Sequence, residues 1–174
     1  NVEAGDKGVE VNAYLQSTSN PKIYAAGDAA DTQGAPLTPV AVFEGKVAAS
    51  NMLKGNRTKP DYAGVPSAVF TVPELSRVGM LEEEAREAGH DIRVVENDTG
   101  DWYSNLRVGE SCAATKVIID NECDTILGAH LLGPEYGEII NFFGLAVRLG
   151  LTTSDLKKMV SAYPSVGSDL GSMV

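Results

Sequence analysis

The sequence predicts an α+β fold: an antiparallel sheet with helices on one face, preceded by the tail of an α/β domain. Three observations predict it. From residue 67 onward the apolar pattern runs strand, strand, helix, strand, strand, strand, helix, helix, and strand runs followed by helix runs give an antiparallel sheet with segregated helices. Among 174 residues, 43% are hydrophobic and 22% charged, which is globular composition. The first fifty-six residues offer one short strand pair and one helix, too little to close a core alone.

Taken in order, Gly8 to Val11 reads as a short strand after a turn at Lys7-Gly8. Tyr14 to Asn20 is polar and turn-rich. Ile23 to Ala26 is a compact apolar run between Pro21 and Gly27-Asp28, read as a buried strand that delivers a loop. Gln33 to Pro36 is loop. Thr38 is the expected N-cap of a helix and Pro39 its first residue, where a missing N–H costs nothing. Val40, Phe43, Val47 and Leu53 follow at helical spacing, and Lys54-Gly55-Asn56 ends the helix. We place a first domain fragment at 1–56, a linker rich in Lys, Pro, Gly and Tyr at 57–66, and a second domain at 67–174.

In the second domain, Ser67 to Thr71 and Leu75 to Met80 are strands around a turn at Val72-Pro73-Glu74. Leu81 to Ala88 is an acidic helix closed by Gly89. Its run Glu82-Glu83-Glu84 reads as a solvated face. Ile92 to Glu96 is a strand, and Asp101 to Gly109 has no clear pattern. Cys112 to Asp120 and Asp124 to Leu132 form a hairpin turning at Asn121-Glu122-Cys123, and the second strand is apolar on both faces. Pro134 opens a helix to Leu149 whose stripe is Ile139, Ile140, Phe143, Ala146 and Val147. Thr152 to Asp155 has the shape of a capping box for a helix to Val160. Tyr163-Pro164 interrupts, and a last short helix or turn runs from Ser165.

The net charge of −10 disfavours phosphate backbones and anionic lipid, so neither nucleic acid nor membrane is an expected partner. No apolar run reaches the ~18 residues of a membrane span. Two cysteines, Cys112 and Cys123, fit no zinc spacing, and with His90 and His130 they make no metal site; they read as half-buried thiols. A cytoplasmic location is the expectation. The chain opens on Asn1, which suggests an excerpt.

Two places suggest chemistry. At Ala25-Ala26-Gly27-Asp28 a glycine lets backbone pass close to a ligand, and a carboxylate at a strand's end can accept hydrogen bonds from sugar or ribityl hydroxyls. At Leu37-Thr38-Pro39-Val40-Ala41 a helix start offers unpaired N–H groups and partial positive charge to an anionic oxygen or an electron-rich ring. Each is also compatible with a purely structural role.

Together these residues carry a resemblance. Ile23 to Asp28, then Thr38-Pro39-Val40-Ala41 with Glu44-Gly45 and Ala48, resembles the second flavin motif of the pyridine nucleotide–disulfide oxidoreductases. That family includes glutathione reductase, dihydrolipoamide dehydrogenase and mercuric reductase. The remainder resembles their C-terminal interface domain in order: Val69-Phe70-Thr71-x-Pro73-Glu74, Val78-Gly79, Glu82 to Ala85, Lys116, Ile126 to His130 with Gly133, then Glu138-Ile139-Ile140. The resemblance covers essentially the whole chain. It implies the C-terminal part of an enzyme using FAD, NAD(P)H and an unidentified electron acceptor. Gly27 and Asp28 would bind the ribityl or pyrophosphate region of FAD. Leu37 and Thr38 would lie by the isoalloxazine, and the helix start at Thr38, Pro39 and Ala41 would face its pyrimidine edge. Residues from Tyr62 onward would form a homodimer interface, with the C-terminal segment of one subunit completing the other's active site.

The chain departs from the family pattern in two ways. It has no G-x-G-x-x-G and no C-x-x-x-x-C, so it is expected neither to hold FAD tightly nor to turn over alone. Where family thiol reductases carry His-Pro-Thr-x-x-Glu, it reads Tyr163-Pro164-Ser165-Val166-Gly167-Ser168-Asp169. A phenol is a poor base at neutral pH but can donate a hydrogen bond. Tyr163 thus stands at the acid/base position, and Asp169 is the candidate orienting carboxylate, one position late. The resemblance also implies a cis peptide before Pro164. Two alternatives stand beside the reductase-fragment reading: a stand-alone homodimeric interaction module without catalysis, and a fragment of a mercuric-reductase-like enzyme, since mercuric reductases also place a tyrosine here, although the C-terminal cysteine pair they add is not found in Gly171-Ser172-Met173-Val174.

Overall fold

The computed structural model describes residues 1–174 and divides them into two compact units, Asn1–Tyr62 and Ala63–Val174.

In the first unit, β1 (Ala4–Gly5) and β2 (Gly8–Glu10) form a hairpin, and β3 (Ala30–Asp31) adds to β2 in parallel. The run Ile23–Ala26 is not a buried strand. Tyr24 makes one isolated bridge to Gln16, Ala25 N–H donates to Leu15 O at 3.0 Å, and Ile23 is exposed. Its partner is a short irregular ribbon, and the strand of this unit that joins the sheet comes after the loop. Gly27–Ala29 is a 3-10 turn. Helix α1 (Thr38–Lys54) starts one residue earlier than expected: Leu37 is the N-cap, with no side-chain cap bond, and Pro39 is the second helical residue. Its buried face is Val40, Glu44, Val47, Ala48 and Asn51. Two of these five are polar, and both find partners. Asn51 donates to Tyr14 O and Thr58 O and accepts from the N–H groups of Arg57 and Thr58.

The second unit is built on a five-stranded antiparallel sheet of order β4-β5-β8-β7-β6. The strands are β4 (Ser67–Val69), β5 (Glu74–Gly79), β6 (Ile92–Asp98), β7 (Ala114–Asp120) and β8 (Ile126–Gly133). The hairpin β7–β8 is as expected, with a register shift at Ile118/Ile119. Helices α4 (Tyr136–Leu149) and α5 (Thr153–Lys157) and the C-terminal 3-10 segment Val166–Ser172 contribute to one core with the sheet. Val78, Val117, Ile119, Ala129 and Leu131 come from strands; Ile139, Ile140, Phe143 and Ala146 come from α4. Alternation along β7 sends Ile118 to the opposite face, where α2 (Glu82–Glu87) lays Ala85 over it beside Ile92.

The start of α4 explains several residues around it. Pro134 lies before the helix and not inside it, and Glu135 at φ 59 leaves the start without a side-chain cap of its own. Glu74 of β5 supplies one: its Oε2 accepts Gly137 N–H at 2.7 Å. Ser76, two residues along the same strand, donates to Tyr136 O at 3.0 Å. A Cβ at Gly133 would stand 2.4 Å from the Tyr136 ring, so glycine is what lets that ring into the core. Tyr136 Oη in turn meets Thr99 Oγ1 at 2.9 Å and Asn105 Nδ2 at 3.2 Å. This fixes the stretch that lacked a readable pattern, where α3 (Tyr103–Leu106) forms. Helix α5 ends at Lys157, short of Val160, and its box is present, with Thr152 Oγ1 accepting Asp155 N–H. Both cysteines are free and exposed, not half-buried. No helix is long and apolar enough to cross a membrane, and no group of three His, Cys, Asp or Glu side chains is gathered as a metal site requires.

Candidate functional site

Within the first unit, the turn Gly27–Ala29 and the start of α1 border one cleft of about 720 Å³, lined by Gly27, Asp28, Gly34, Pro36, Val40 and Glu44 among others. Asp28 is exposed and stands at the cleft with its carboxylate available. Gly27 takes φ +62, and a Cβ there would meet Ala41 Cβ at 2.7 Å, so the turn lies hard against the first turn of α1. Leu37 is half-buried, while Thr38 and Pro39 are exposed at the helix start. The structure thus brings Gly27, Asp28 and Ala41 together.

The group that holds this arrangement is Glu44. It is 0% exposed, and three donors converge on its carboxylate. Gly27 N–H donates to Oε2 at 2.6 Å, Thr32 Oγ1 to Oε1 at 2.8 Å, and Tyr62 Oη to Oε1 at 2.6 Å. Gly34 N–H extends the network by donating to Thr32 Oγ1 at 3.1 Å. Burial, and then the hydrogen bond to Glu44, pushes the Tyr62 hydroxyl up to about 12, so it remains a donor through the physiological range. Glu44 appears in the motif but not among the expected site residues. The signal that finds it is its place on the buried stripe of α1, where an ionisable side chain must be partnered.

An exposed carboxylate, a glycine turn pressed on a helix and the start of a seventeen-residue helix fit one edge of a dinucleotide cofactor. They fit no more than an edge, since no glycine-rich phosphate cradle is among these residues.

In the second unit, Tyr163 is 76% exposed and precedes a cis peptide to Pro164. Its ring stacks on Tyr103 of α3, centroids 6.1 Å apart at 23°. Asp169 does not meet Tyr163. Its carboxylate accepts from Ser104 Oγ, the residue next to Tyr103, so α3 holds the C-terminal segment at two adjacent points. His130, on β8, has Nε2 3.2 Å from Met80 O, and burial lowers its pKa. Near the β7–β8 turn, Asp120 is held to about 2 by its hydrogen bond to His90 and by the N–H groups of Glu122 and Cys123.

Comparison with known proteins matches residues 65–174 to the model of the pyridine nucleotide-disulphide oxidoreductase dimerisation domain. The chain is 52% identical to an uncharacterized 19.7 kDa protein in a mercuric resistance operon of Staphylococcus aureus, over 100% of this chain and 97% of that protein. It is 36% identical to the chloroplastic/mitochondrial glutathione reductase of Pisum sativum over 98% of this chain and 30% of the reductase. The Cu(II) complex of the HOCl-induced flavoprotein disulfide reductase RclA from Escherichia coli superposes with a TM-score of 0.87 at 31% identity, covering 99% of this chain and 39% of that one. Mercuric reductases and dihydrolipoyl dehydrogenases match as well. The chain therefore spans nearly all of the small staphylococcal protein and about a third of the length of the reductases.

Proposed function

The chain belongs to the pyridine nucleotide-disulphide oxidoreductase family, whose dimerisation domain it carries, and from that membership we propose that it pairs with a second copy of itself while presenting only one edge of a flavin site. One observation carries the pairing. Helix α4 buries Ile139, Ile140, Phe143 and Ala146, yet it also leaves Phe142, Leu145 and Leu149 exposed at 41%, 52% and 61%. Spacings of three and four residues put these three on a second stripe, and an apolar row in water marks an interaction surface.

Toward FAD, the residues present divide the work simply. Asp28 would accept hydrogen bonds from cofactor hydroxyls, and Gly27 would keep the backbone beside them free of a side chain. Leu37 would pack against a ring, and the start of α1, at Thr38, Pro39 and Ala41, would turn its positive end to an electron-rich edge, with Pro39 carrying no N–H and that of Ala41 already donated to Leu37 O. When bound, FAD supplies two-electron redox chemistry. With no glycine-rich nucleotide cradle and no C-x-x-x-x-C pair among these residues, we assign the chain no turnover by itself.

The test is to incubate the purified chain with FAD, remove free cofactor by gel filtration, and add NADPH. A colourless protein that leaves NADPH unoxidised is expected; a yellow protein that consumes NADPH contradicts the proposal.

A second reading concerns the substrate of a full-length enzyme of this type. Tyr163 replaces the usual histidine, and the same-length staphylococcal relative is described by its mercuric resistance operon. Both favour a mercuric ion over a disulfide as that enzyme's substrate.

A further inference from the structure

We propose that Glu44 is a positioning residue: its buried carboxylate sets the Gly27–Asp28 turn in the shape that meets the flavin before any flavin is bound. The inference rests on the proposed flavin reading of Asp28, and its own support is geometric.

A fully buried carboxylate is costly unless each oxygen is hydrogen-bonded. Here both oxygens are used, and the donors come from three separate stretches: the turn (Gly27), the loop after β3 (Thr32) and the end of the unit (Tyr62). One of these contacts goes to the backbone N–H of Gly27, the residue immediately before Asp28. That bond anchors one side of the turn while Ala41, leaving no room for a Cβ at Gly27, anchors the other. Tyr62 and Thr32 share the opposite oxygen and fix the carboxylate's rotation, so Oε2 is aimed at Gly27 and not free to swing. Gly34 lies against the same oxygen, since a Cβ there would stand 2.7 Å from Glu44 Oε1. Asp28 is left exposed, on a turn ordered from beneath. An ordered turn loses less entropy when a ligand arrives, which is the advantage the clasp would confer.

Glu44→Gln is the direct probe. An amide in this position cannot accept from all three donors, because its NH₂ must face at least one of them. Amide hydrogen exchange of the full chain, followed by NMR, reads the turn (Gly27) against the buried helix face (Val47, Ala48). We expect Glu44→Gln to speed Gly27 exchange about tenfold or more while Val47 and Ala48 change by less than about threefold, as loss of a charged hydrogen bond at one site implies. An equal rise at all three amides would mean that Glu44 supports the whole unit and not the turn, and would overturn the proposal, as would no change at Gly27.

Should Glu44→Gln fail to fold, Tyr62→Phe removes one donor and leaves Gly27 bonded. It must then speed Gly27 exchange more than Val47 exchange, and equal rates again overturn the proposal. A separate arm adds FAD to the wild-type chain and to Glu44→Gln. Shifts at Gly27 and Asp28 that weaken in the variant support the role. If FAD moves neither resonance in the wild type while exchange still depends on Glu44, the flavin reading fails, and the purpose given to the clasp fails with it.

Discussion

Glu44 and Asp169 show how far a single residue can be read from sequence. Glu44 lies at a helix position where the pattern calls for an apolar side chain, and this is the mark of a partnered charge. The identity of its partners was not legible, because Gly27, Thr32 and Tyr62 are 17, 12 and 18 residues away along the chain. Asp169 looked like a replacement for a missing glutamate, yet a one-residue offset in a 3-10 segment turns it toward Ser104. Asp120 offers a residue-scale prediction. The His90 hydrogen bond, with two backbone N–H groups, holds its carboxylate at about 2, below its ordinary 3.8. A carboxylate depressed in the folded state adds stability that is fully present above its unfolded value and is lost as pH falls from about 4 toward 2. Asp120→Asn should therefore be less stable than wild type at pH 6, with the gap closing between about pH 4 and 2. Urea unfolding followed by circular dichroism across that range checks it, and a gap independent of pH would mean that the His90 contact contributes nothing through titration.

At the scale of elements, those legible in the sequence were the ones whose periodicity their own residues carry. The hairpin β7–β8 alternates, α4 has a continuous buried stripe, and α5 announces itself through Thr152 and Asp155. Elements decided by distant partners were not. Ile23–Ala26 has the composition of a core strand, but its backbone bonds go to residues 15–17. Helix α3 has no apolar period of its own; it forms where Asn105 can reach Tyr136 Oη and Thr99 O. The stretch proposed to meet a flavin carries a sequence motif, whereas the cleft that joins Gly27, Asp28 and Gly34 needed the fold. The cap of α5 is directly testable. Thr152 Oγ1 accepts Asp155 N–H at 3.1 Å while Asp155 Oδ2 accepts Thr152 N–H at 3.1 Å. Thr152→Ala should lower the stability of the second unit by about 1 kcal/mol in urea unfolding, as N-cap losses generally do. An unchanged midpoint would show that tertiary contacts alone keep the helix.

As a whole molecule, the chain divides into two compact units. The second unit has its own sheet, core and dimerisation-domain ancestry; the first holds an ordered turn and a helix start around a cleft. The net charge of −10 means that two copies repel at long range. The proposed pairing would then rest on apolar contact, for which the exposed row Phe142, Leu145 and Leu149 is available. Salt screens the repulsion, so association should tighten as ionic strength rises. Sedimentation equilibrium of the full chain, across a range of protein concentrations and beside Leu145→Lys, measures this self-association. The wild type should sediment at twice the chain's mass, and the variant should return to a single chain while keeping its circular dichroism spectrum. A wild type that remains monomeric at all concentrations, or a Leu145→Lys variant that pairs as well as wild type, would contradict the proposed pairing.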